Sequence, residues 1–342
     1  MDARRIDSHK LEFHPKRVAQ WVDWKDDWEH AKRVYPLYVE VSPMGACNHR
    51  CTFCAVDYIG YKAEARLEHI RAGLVLMEMG KLGVKSVMFA GEGEPLLHKE
   101  IDHMVWAAKL STMDVAFTTN GVLLDRLGEL KSCSWVKVSM NAGRRETYAK
   151  VHRTKEEDFD RVWRNIRAAV KRKGKCEIGV QMVCLPENAG EEVELERLCE
   201  DAGVDYLVLK PYSQHKSSIT RQYDGYKPVI GPVSQKTVVR ADSIATEEIP
   251  YDKCNATPFF WAYIMASGDV YSCSAYLLDE RFRLGNINQA GFQDIWEGEL
   301  RHANWRLVTQ ELDIHECRLN CRMDKANRYL AQFGRVPNVN FV

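Results

Sequence analysis

The segment LYVEVSPMGACNHRCTFC, residues 37–54, places three cysteines directly after a short apolar stretch. Its first six residues predict a buried β-strand, and Cys47, Cys51 and Cys54 form a C-x3-C-x2-C run on the following loop. Three thiolates so close together can bind one metal centre, and thiolates suit iron–sulfur clusters or zinc. A structural zinc site needs a fourth protein ligand, and His49 would crowd the loop. The spacing therefore favours an iron–sulfur cluster, with a zinc loop or three incidental thiols as alternatives.

The region after this loop alternates between strand and helix patterns. Besides 37–42, short apolar runs predict strands at 84–90, 113–120, 135–140, 177–184 and 204–210. Residues between them predict helices over 67–82, 98–110, 123–130, 145–151, 158–173 and 190–202. Such alternation is typical of parallel β/α units around a buried sheet. Six strands are too few for an eightfold barrel, which leaves an open or partial (β/α)6 barrel or a doubly wound sheet. In each of these α/β folds, ligands bind at the carboxyl ends of the strands.

The flanking sequence predicts three further segments. Residues 1–36 form a polar N-terminal extension with a helix that carries Trp21, Trp24 and Trp28 on one face. The final region opens with FFWAYIM, an SGD turn and VYSC, which together predict a β-hairpin. The predicted organisation is a helical extension (1–36), a β/α region (37–210), a proline-rich linker or active-site cover (211–253) and a small C-terminal domain (254–342), with helices over 291–308 and about 323–333.

Composition limits the classes of protein that this chain can represent. Its 342 residues include 48 Lys and Arg and 48 Asp and Glu, so the net charge is zero. This balance argues against a strongly basic nucleic-acid-binding protein, and no apolar run approaches the ~18 residues of a membrane span. The charged N-terminal sequence lacks the apolar core of a secretory signal. We therefore expect a cytoplasmic protein without nucleic-acid or membrane partners, in which 11 cysteines indicate metal binding rather than disulfides.

The cysteine loop resembles the signature of the radical S-adenosylmethionine (SAM) superfamily, C-x3-C-x-aromatic-C after a first strand, with Phe53 as the aromatic residue. The resemblance covers about residues 37–210 and implies a partial (β/α)6 barrel. It also implies a [4Fe-4S] cluster on the three cysteines, with one iron open to bind SAM. Reduction by an external donor such as flavodoxin or ferredoxin then produces methionine and a 5′-deoxyadenosyl radical, which abstracts hydrogen from unactivated carbon.

Later strand ends carry further similarities to this superfamily. Gly93, Glu94 and Pro95 are similar to the last three residues of its GGEP element, which contacts the SAM amino group, while Glu92 departs from the usual first glycine. TTNG (118–121) follows the third strand, as in many members of the superfamily.

The fourth and fifth strands supply further cofactor-binding candidates. Ser139 and Asn141, in SMNAG after the fourth strand, look like the polar residues near the SAM ribose and carboxylate. Gln181 on the fifth strand is placed in the same set. Gly, Ser and Asn are also common turn residues, so each match alone fits an ordinary turn. Their occurrence in order on successive strands is what favours the superfamily.

A second group of cysteines occupies the C-terminal region: Cys254, Cys273, Cys317 and Cys321. A hairpin and a loop before the last helix would bring four thiolates into one closed site, which suits an iron–sulfur cluster or structural zinc. SGDVYSC and LGNINQAGFQDIW look like parts of the auxiliary-cluster module that radical SAM enzymes often carry. That module has seven cysteines in its two-cluster SPASM form, so four favour the single-cluster Twitch form. The resemblance implies a second, fully ligated [4Fe-4S] cluster suited to electron transfer.

Substrate-binding and catalytic candidates follow the fifth and sixth strands. KPYSQHK (210–216) offers Lys210, Tyr212 and His215, a cation, a phenol and an imidazole for a phosphate, carboxylate or sugar; a solvated linker is the alternative. Cys184 ends the fifth strand, where a thiol facing the substrate would donate hydrogen in an epimerisation. A buried thiol in the core is the alternative interpretation.

These resemblances predict a radical SAM enzyme that oxidises or rearranges a small polar molecule of sugar, aminocyclitol or nucleoside type. It would act as a dehydrogenase-like oxidoreductase, or as a lyase or epimerase, with the auxiliary cluster accepting an electron in a net oxidation. A peptide- or protein-modifying maturase is the second hypothesis, although only 36 residues precede the first strand. A non-catalytic iron–sulfur or zinc-binding protein is the alternative from another class.

Overall fold

A computed structural model of the chain describes residues 4–6, 8–212, 215–223, 225–231, 233–234, 236–240, 249–317 and 321–333. The strands in these ranges are β1 Tyr38–Val41, β2 Ser86–Phe89, β3 Asp114–Thr119, β4 Trp135–Ser139, β5 Glu177–Cys184, β6 Tyr206–Pro211, β7 Thr237–Val239, β8 Trp261–Ile264, β9 Asp269–Tyr271 and β10 Arg283–Asn286. The α-helices are α1 Pro15–Trp24, α2 Trp28–Ala31, α3 His69–Lys81, α4 Ile101–Leu110, α5 Arg145–His152, α6 Glu156–Arg172, α7 Glu192–Ala202, α8 Thr257–Phe260, α9 Phe292–Glu297, α10 Glu299–Arg306 and α11 Asp324–Leu330.

The strands form one open sheet in the order β10-β9-β8-β1-β2-β3-β4-β5-β6-β7. Strands β1 to β7 are parallel to their neighbours, β8 is parallel to β1, and β9 and β10 extend the sheet as antiparallel strands. The predicted α/β class and partial barrel are therefore confirmed. Within the described residues, no helix is long and apolar enough to cross a membrane.

Two strands lie where the sequence did not predict parallel pairing. β7 falls in the segment predicted as a linker or cover and pairs with β6. β8 is the first strand of the predicted hairpin, and it pairs antiparallel with β9 as expected, but its other edge joins β1. All four residues of β8 are buried, and burial on both faces is typical of a strand inside a parallel sheet. The C-terminal region and the barrel thus share one sheet.

Two predicted helices have a different local structure. The helix expected over 123–130 consists of two 3₁₀ segments, because Arg172 binds the carbonyls of Leu124 and Leu127 and the Asp102 carboxylate accepts the next two backbone N–H groups. The helix expected over 291–308 is interrupted at Gly298, whose backbone is extended and separates α9 from α10.

Alternation along the strands separates a helix-facing side from an inner face. Val39, Val87 and Val136 belong to the large core between the sheet and the helices. Their neighbours in sequence point the other way; Met88 and Ala116 pack with Tyr38 and Trp135 on the inner face. This inner face is where a ligand bound at the carboxyl ends of the strands would extend.

The N-terminal extension packs on the C-terminal region. Trp21 of α1 is buried against Phe259 of α8, with ring centroids 6.3 Å apart, and Leu330 of α11 belongs to the same apolar cluster. The predicted single helix is two helices, because Asp27 caps the N-terminus of α2 by accepting a hydrogen bond from the Glu29 N–H.

Arg301 of α10 joins these elements at a buried point. Its guanidinium lies 4.0 Å from the Trp296 ring centroid and 5.4 Å from that of Trp28, and it donates to the carbonyls of Trp296 (2.9 Å) and Pro258 (2.7 Å). Burial lowers the pKa of Arg301 to about 9. The Arg301 guanidinium therefore donates buried hydrogen bonds and packs between the indole rings of Trp28 and Trp296.

We expect Arg301→Ala to lower the free energy of unfolding by about 3 kcal/mol, since two buried carbonyls lose a charged donor and two indoles lose a contact. Arg301→Lys should recover little of this, because a lysine cannot reproduce the planar fork. Anaerobic urea unfolding measures the effect, with the exposed Arg306→Ala of the same helix as the matched control. A loss below about 1 kcal/mol for Arg301→Ala would contradict this role.

Candidate functional site

The three-cysteine loop is held at the carboxyl end of β1 by the loop that follows β2. Glu94 N–H donates to the carbonyl of Ala46 (2.8 Å). A Cβ on Gly93 would lie 2.2 Å from the Met44 carbonyl oxygen and 2.4 Å from that of Ala46, so only glycine permits this approach. The predicted GEP element therefore lies directly against the cysteine loop.

The thiols of this loop converge on one region. Burial raises the pKa of Cys47 to about 12 and raises those of Cys51 and Cys54; at Cys51 the charges of the other two thiols raise it further. The 11 cysteines all lie among the described residues, and none of them forms a disulfide there. Three neighbouring thiolates are unfavourable without a compensating positive charge, and a thiophilic iron group supplies one. The donor set therefore fits the iron–sulfur cluster that the sequence implies.

Two buried histidines lie behind Cys51. His152 Nδ1 is 3.3 Å from Cys51 Sγ, and its Nε2 is 3.0 Å from the carbonyl oxygen of Met140. Burial, with a smaller effect of His49, lowers the pKa of His152 to about 3, so the ring is neutral. His49, Cys51 and His152 place ligand atoms within 4.8 Å of one another. The buried His49 ring thus packs behind the cysteine loop. The cysteine motif did not predict the contact of His152 with Cys51.

Glu94 connects two strand ends through its side chain. The buried carboxylate accepts hydrogen bonds from Thr119 Oγ1 (2.6 Å), Asn120 N–H (2.8 Å) and Leu96 N–H (3.1 Å). Pro95 begins the one-turn 3₁₀ helix that follows. The carboxylate therefore fixes the ends of β2 and β3, and contact of Gly93, Glu94 and Pro95 with SAM remains a prediction.

The fourth and fifth strand ends place the remaining cofactor candidates near Cys51. Ser139 of β4 lies beside Gln181 of β5 in register. Asn141 is fully buried in a left-handed conformation (φ 55°), accepts a hydrogen bond from Val183 N–H (2.7 Å) and lies 3.3 Å from His152 Nε2. Asn141 thus connects β5 to the cysteine loop through His152. A role of Ser139, Asn141 and Gln181 in binding SAM remains a prediction.

Glu92, the residue that departs from the GGEP pattern, carries a buried carboxyl group. It is 4% exposed and accepts a hydrogen bond from Ala266 N–H (2.7 Å), in the turn between β8 and β9. Burial raises its pKa to about 7, against the opposing effects of that N–H and the Ser42 hydroxyl. This carboxyl group therefore links the GEP loop to the C-terminal hairpin.

We expect Glu92→Gln to stabilise the protein at pH 8 more than at pH 6. The Glu92 carboxyl group has a higher pKa in the folded than in the unfolded chain. The free energy of unfolding of the wild type therefore falls as the pH rises from 4.5 towards 7. The full loss of stability, about 3.5 kcal/mol at 1.4 kcal/mol per pKa unit, applies only above pH 7. Thermal unfolding at both values measures it, with the exposed Glu64→Gln as control. Equal pH dependence in wild type and Glu92→Gln would refute the assignment.

The four C-terminal cysteines form a second thiol group: Cys254 before α8, Cys273 after β9, and Cys317 and Cys321 before α11. Burial raises the pKa of Cys273, and the charges of the other three thiols raise it further, so all three lie close enough to act on Cys273. Asn327 Nδ2 donates to Cys254 Sγ (3.3 Å), and Met323 N–H donates to Cys321 Sγ (3.4 Å). Four thiols, two of which accept N–H hydrogen bonds on sulfur, are a donor set that fits a fully ligated iron–sulfur cluster.

The described part of the predicted cover lies on the first cysteine loop. Asp57 accepts hydrogen bonds from the backbone N–H groups of Ile219 and Thr220, both at 2.9 Å. Tyr223 Oη donates to Thr52 Oγ1 (2.7 Å). The charge of Lys216 lowers the pKa of Cys317, in opposition to the larger effect of burial. The segment therefore contacts the first cysteine loop and carries a cation that acts on Cys317 of the second group.

The substrate-binding candidates lie beneath or within this cover. His215 is buried and stacks on Tyr58 of the cysteine loop, with ring centroids 4.9 Å apart. Tyr212 is buried in edge contact with Tyr223 at 5.2 Å. Lys210 is paired with Val183 in the β5–β6 register. Residues 213–214 of KPYSQHK lie outside the described residues.

Cys184 does not lie with these candidates. It is 2% exposed in the core between the sheet and the helices, in the same cluster as Met182, whereas Val183 between them faces Tyr212. Alternation along β5 thus directs the thiol away from the inner face, which is the physical reason that the substrate-facing position expected for Cys184 is not observed.

Three charged residues on the inner face were not predicted as site residues from the sequence: Glu40 of β1, Lys137 of β4 and Arg322 after Cys321. Arg322 forms an ion pair with Glu40 and lies over Trp261 of β8, 5.6 Å from its ring centroid. A charged residue between apolar residues, as in VEV and VKV, was the available signal.

Two family models match the chain. The model described as the radical SAM superfamily matches residues 41–199, which contain the first cysteine loop and the GEP element. The model of the SPASM iron–sulfur cluster-binding domain matches residues 254–322, which contain all four C-terminal cysteines.

Curated relatives include proteins named GTP 3′,8-cyclase. A probable GTP 3′,8-cyclase of Methanocaldococcus jannaschii is 26% identical over 217 residues, which are 61% of this chain and 68% of that protein. The molybdenum cofactor biosynthesis protein moc-5 of Caenorhabditis elegans is 27% identical over 245 residues, 66% of this chain and 40% of that protein. The GTP 3′,8-cyclase of Brucella abortus strain S19 is 28% identical over 232 residues, 63% of this chain and 62% of that protein.

Solved structures share the fold at low sequence identity. Streptococcus suis SuiB bound to S-adenosylmethionine has a TM-score of 0.62 and 17% identity, over 90% of this chain and 75% of that chain. The protein anSMEcpe with bound AdoMet and a peptide has a TM-score of 0.57 and 16% identity, over 86% of this chain and 88% of that chain. At such identities the likeness shows the fold alone.

Proposed function

The chain belongs to the radical SAM superfamily and carries a C-terminal SPASM-type iron–sulfur cluster domain, and on that premise we propose that it acts on a small nucleotide-type substrate. The observation that carries the proposal is the position of the three-cysteine loop at the carboxyl end of β1, between the GEP element and the described part of the cover. The names of the curated relatives support a nucleotide among the small polar substrates considered.

Cys47, Cys51 and Cys54 would hold the [4Fe-4S] cluster that binds SAM. When bound, the cluster and SAM supply a 5′-deoxyadenosyl radical that abstracts a hydrogen atom from the substrate. The chain's own contribution is rigidity: Gly93 and Glu94 brace the loop through Ala46, and Glu94 fixes the neighbouring strand ends. A loop held in this way keeps its bound reactants in one geometry, which hydrogen transfer requires.

The cover would exclude water from the reacting groups. Hydrogen bonds from its backbone to Asp57 and from Tyr223 to Thr52 hold it on the cysteine loop, and the His215 ring closes the contact against Tyr58. In this proposal Lys210, Tyr212 and His215 position the substrate below the cover. Exclusion of water protects a reactive radical from side reactions.

Cys254, Cys273, Cys317 and Cys321 would hold a second [4Fe-4S] cluster, which supplies one-electron chemistry. Four protein ligands satisfy such a cluster completely, so these residues favour an electron-transfer role over direct binding of the substrate. Both a net oxidation and a redox-neutral rearrangement, such as a cyclisation, are compatible with this proposal. An external one-electron donor of the flavodoxin or ferredoxin type would reduce the first cluster.

Anaerobically reconstituted protein tests the substrate class. With SAM and dithionite, GTP should raise the rate of 5′-deoxyadenosine formation and be converted to a product of altered mass, whereas a peptide mixture should do neither. Stimulation by peptides alone would refute the nucleotide assignment and favour the maturase hypothesis. Formation of no 5′-deoxyadenosine under any condition would refute radical chemistry itself.

A further inference from the structure

We propose that His49, Cys51 and His152 form a binding site for one Zn²⁺ ion, which the chain holds only while the loop carries no [4Fe-4S] cluster. One ligand atom of each of these side chains lies within 4.8 Å of the other two. The site shares Cys51 with the cluster but needs neither Cys47 nor Cys54. The proposal therefore goes beyond the proposed function and does not depend on the substrate.

Backbone hydrogen bonds hold the cysteine loop on the end of α5. Thr52 N–H donates to the Val151 carbonyl (2.9 Å). Arg50 N–H donates to the carbonyl of His152 (3.2 Å). The His152 ring stacks on that of Tyr148, with ring centroids 4.3 Å apart. The loop and the helix therefore present the His152 ring to the cysteine loop in a defined orientation.

His152 has the hydrogen-bonding pattern of a metal-ligating imidazole. Its Nε2 is 3.0 Å from the carbonyl oxygen of Met140 and 3.3 Å from the amide nitrogen of Asn141. A carbonyl oxygen only accepts hydrogen bonds, so the shorter contact places the proton on Nε2. The Nδ1 lone pair is then directed at Cys51 Sγ, 3.3 Å away. Ligating histidines commonly donate their second N–H to a backbone carbonyl, which fixes the ring for the metal.

His49 is the second imidazole at this point and is buried without a normal hydrogen bond. Its ring is 1% exposed, and among the described residues neither ring nitrogen has a partner of normal hydrogen-bond geometry. Asp158 Oδ2 of α6 lies 3.5 Å from its Nε2, where an outer carboxylate stands behind a ligating histidine. A buried imidazole without a partner is unfavourable, and a cation between His49 and His152 would supply one.

The distances suit a tetrahedral zinc ion. Zn–S bonds of about 2.3 Å and Zn–N bonds of about 2.0–2.1 Å separate neighbouring ligand atoms by about 3.4–3.6 Å. Cys51 Sγ and His152 Nδ1 are already 3.3 Å apart, and a His49 nitrogen needs to move by at most about 1.5 Å to join them. Two imidazoles and a thiolate are ligands that zinc prefers, and water would take the fourth position. As the Zn–S bond forms, the Cys51 thiol releases its proton to solvent.

The zinc ion and the cluster exclude each other because both need the Cys51 thiolate. The cluster combines it with Cys47 and Cys54, whereas zinc combines it with two histidines. His49 need not crowd the three cysteines in this arrangement, since the second nitrogen ligand comes from α5. A zinc ion at this position would therefore delay cluster assembly and hold the Cys51 thiolate until iron and sulfide replace it.

The double variant Cys47→Ala/Cys54→Ala distinguishes this site from a zinc ion held by the three cysteines. This full-length chain cannot hold the loop cluster but keeps all three proposed ligands. Free of iron, loaded with Zn²⁺ and dialysed, it should retain about one zinc more per chain than Cys47→Ala/Cys51→Ala/Cys54→Ala. Elemental analysis measures the difference, to which the unchanged C-terminal cysteines contribute nothing.

Histidine substitutions in this double variant test the nitrogen ligands. His152→Gln and His49→Gln should each weaken zinc binding at the loop about hundredfold or more, because loss of an outer partner alone costs about 10–100-fold. Asp158→Asn keeps all three ligands and should weaken it about tenfold. His103→Ala, which changes an exposed histidine of α4, is the matched control and should leave the affinity unchanged. Competition with a chromogenic zinc chelator measures these affinities.

Equal zinc content of the double and triple cysteine variants would overturn the proposal, as would unchanged zinc affinity after substitution of the histidines. If His152→Gln does not fold, His49→Gln and Asp158→Asn decide the outcome, since they change residues outside α5.

A second experiment tests the exclusion of zinc by the cluster. When zinc-loaded wild type is reconstituted with iron and sulfide, it should release about one zinc more per chain than Cys47→Ala/Cys54→Ala, which cannot build the loop cluster. Equal release of zinc from both proteins would contradict the proposal. Zinc content is measured without SAM or substrate, so this result is separate from that of the proposed function.

Discussion

Replacement of Cys47, Cys51 and Cys54 together by alanine should remove about four of about eight irons and abolish 5′-deoxyadenosine formation. The three thiols are half-buried, the charges of Cys54 and Cys47 act on Cys51, and all three lie on one loop that the loop after β2 holds in place. Without them, SAM has no iron to bind, although the sheet beneath the loop should remain folded. Iron analysis and chromatography of the reaction mixture measure the two effects.

Cys176→Ala is the matched control for the loop variants, since this cysteine is buried in the core away from both groups. It should keep the full iron content and the wild-type rate of SAM cleavage. Residual SAM cleavage by the triple variant would show that the loop is not the site of radical generation.

Replacement of Cys317 and Cys321 by alanine should remove about four irons, those of the second cluster, while hydrogen abstraction continues. For a net oxidation, deuterium from labelled substrate should then appear in 5′-deoxyadenosine, while the oxidised product should fall below about one per cent of the wild-type amount. The reason is that these residues complete the only other set of cluster ligands found among the described residues. Mass spectrometry of both products provides the measurement.

Loss of a structural cluster can unfold the domain that holds it. If the double variant unfolds, a variant that keeps all four cysteines provides the test. Tyr276 Oη lies 3.4 Å from Cys317 Sγ, and a hydroxyl that donates to a thiolate ligand raises the reduction potential of its cluster. Tyr276→Phe should therefore lower that potential without loss of iron. Product formation at full rate by a folded double variant with half the iron would favour a redox-neutral reaction.

The sequence predicted the features that depend on local pattern. Strands β1 to β6 follow from short apolar runs, and the two cysteine groups follow from spacing and from the hairpin around Cys273. Such signals are contained within a few residues, because side-chain alternation and turn chemistry act locally.

Features that depend on pairing between distant segments could not be predicted in this way. β8 joins β1 more than 200 residues earlier in the chain, and an apolar run alone does not reveal its parallel partner. The contact between His152 and Cys51 likewise needs the folded position of α5. Cys184 shows a third limit, since a one-residue change in the assumed register moves a side chain to the other face of the sheet.

Anaerobically purified wild-type protein, analysed for metal content and then incubated with SAM and dithionite, offers the most decisive single measurement. Two cysteine groups that each hold a [4Fe-4S] cluster predict about eight irons per chain and formation of 5′-deoxyadenosine. About one or two zinc ions per chain, with no 5′-deoxyadenosine, would instead identify structural zinc sites and contradict the assignment of radical SAM chemistry to this chain.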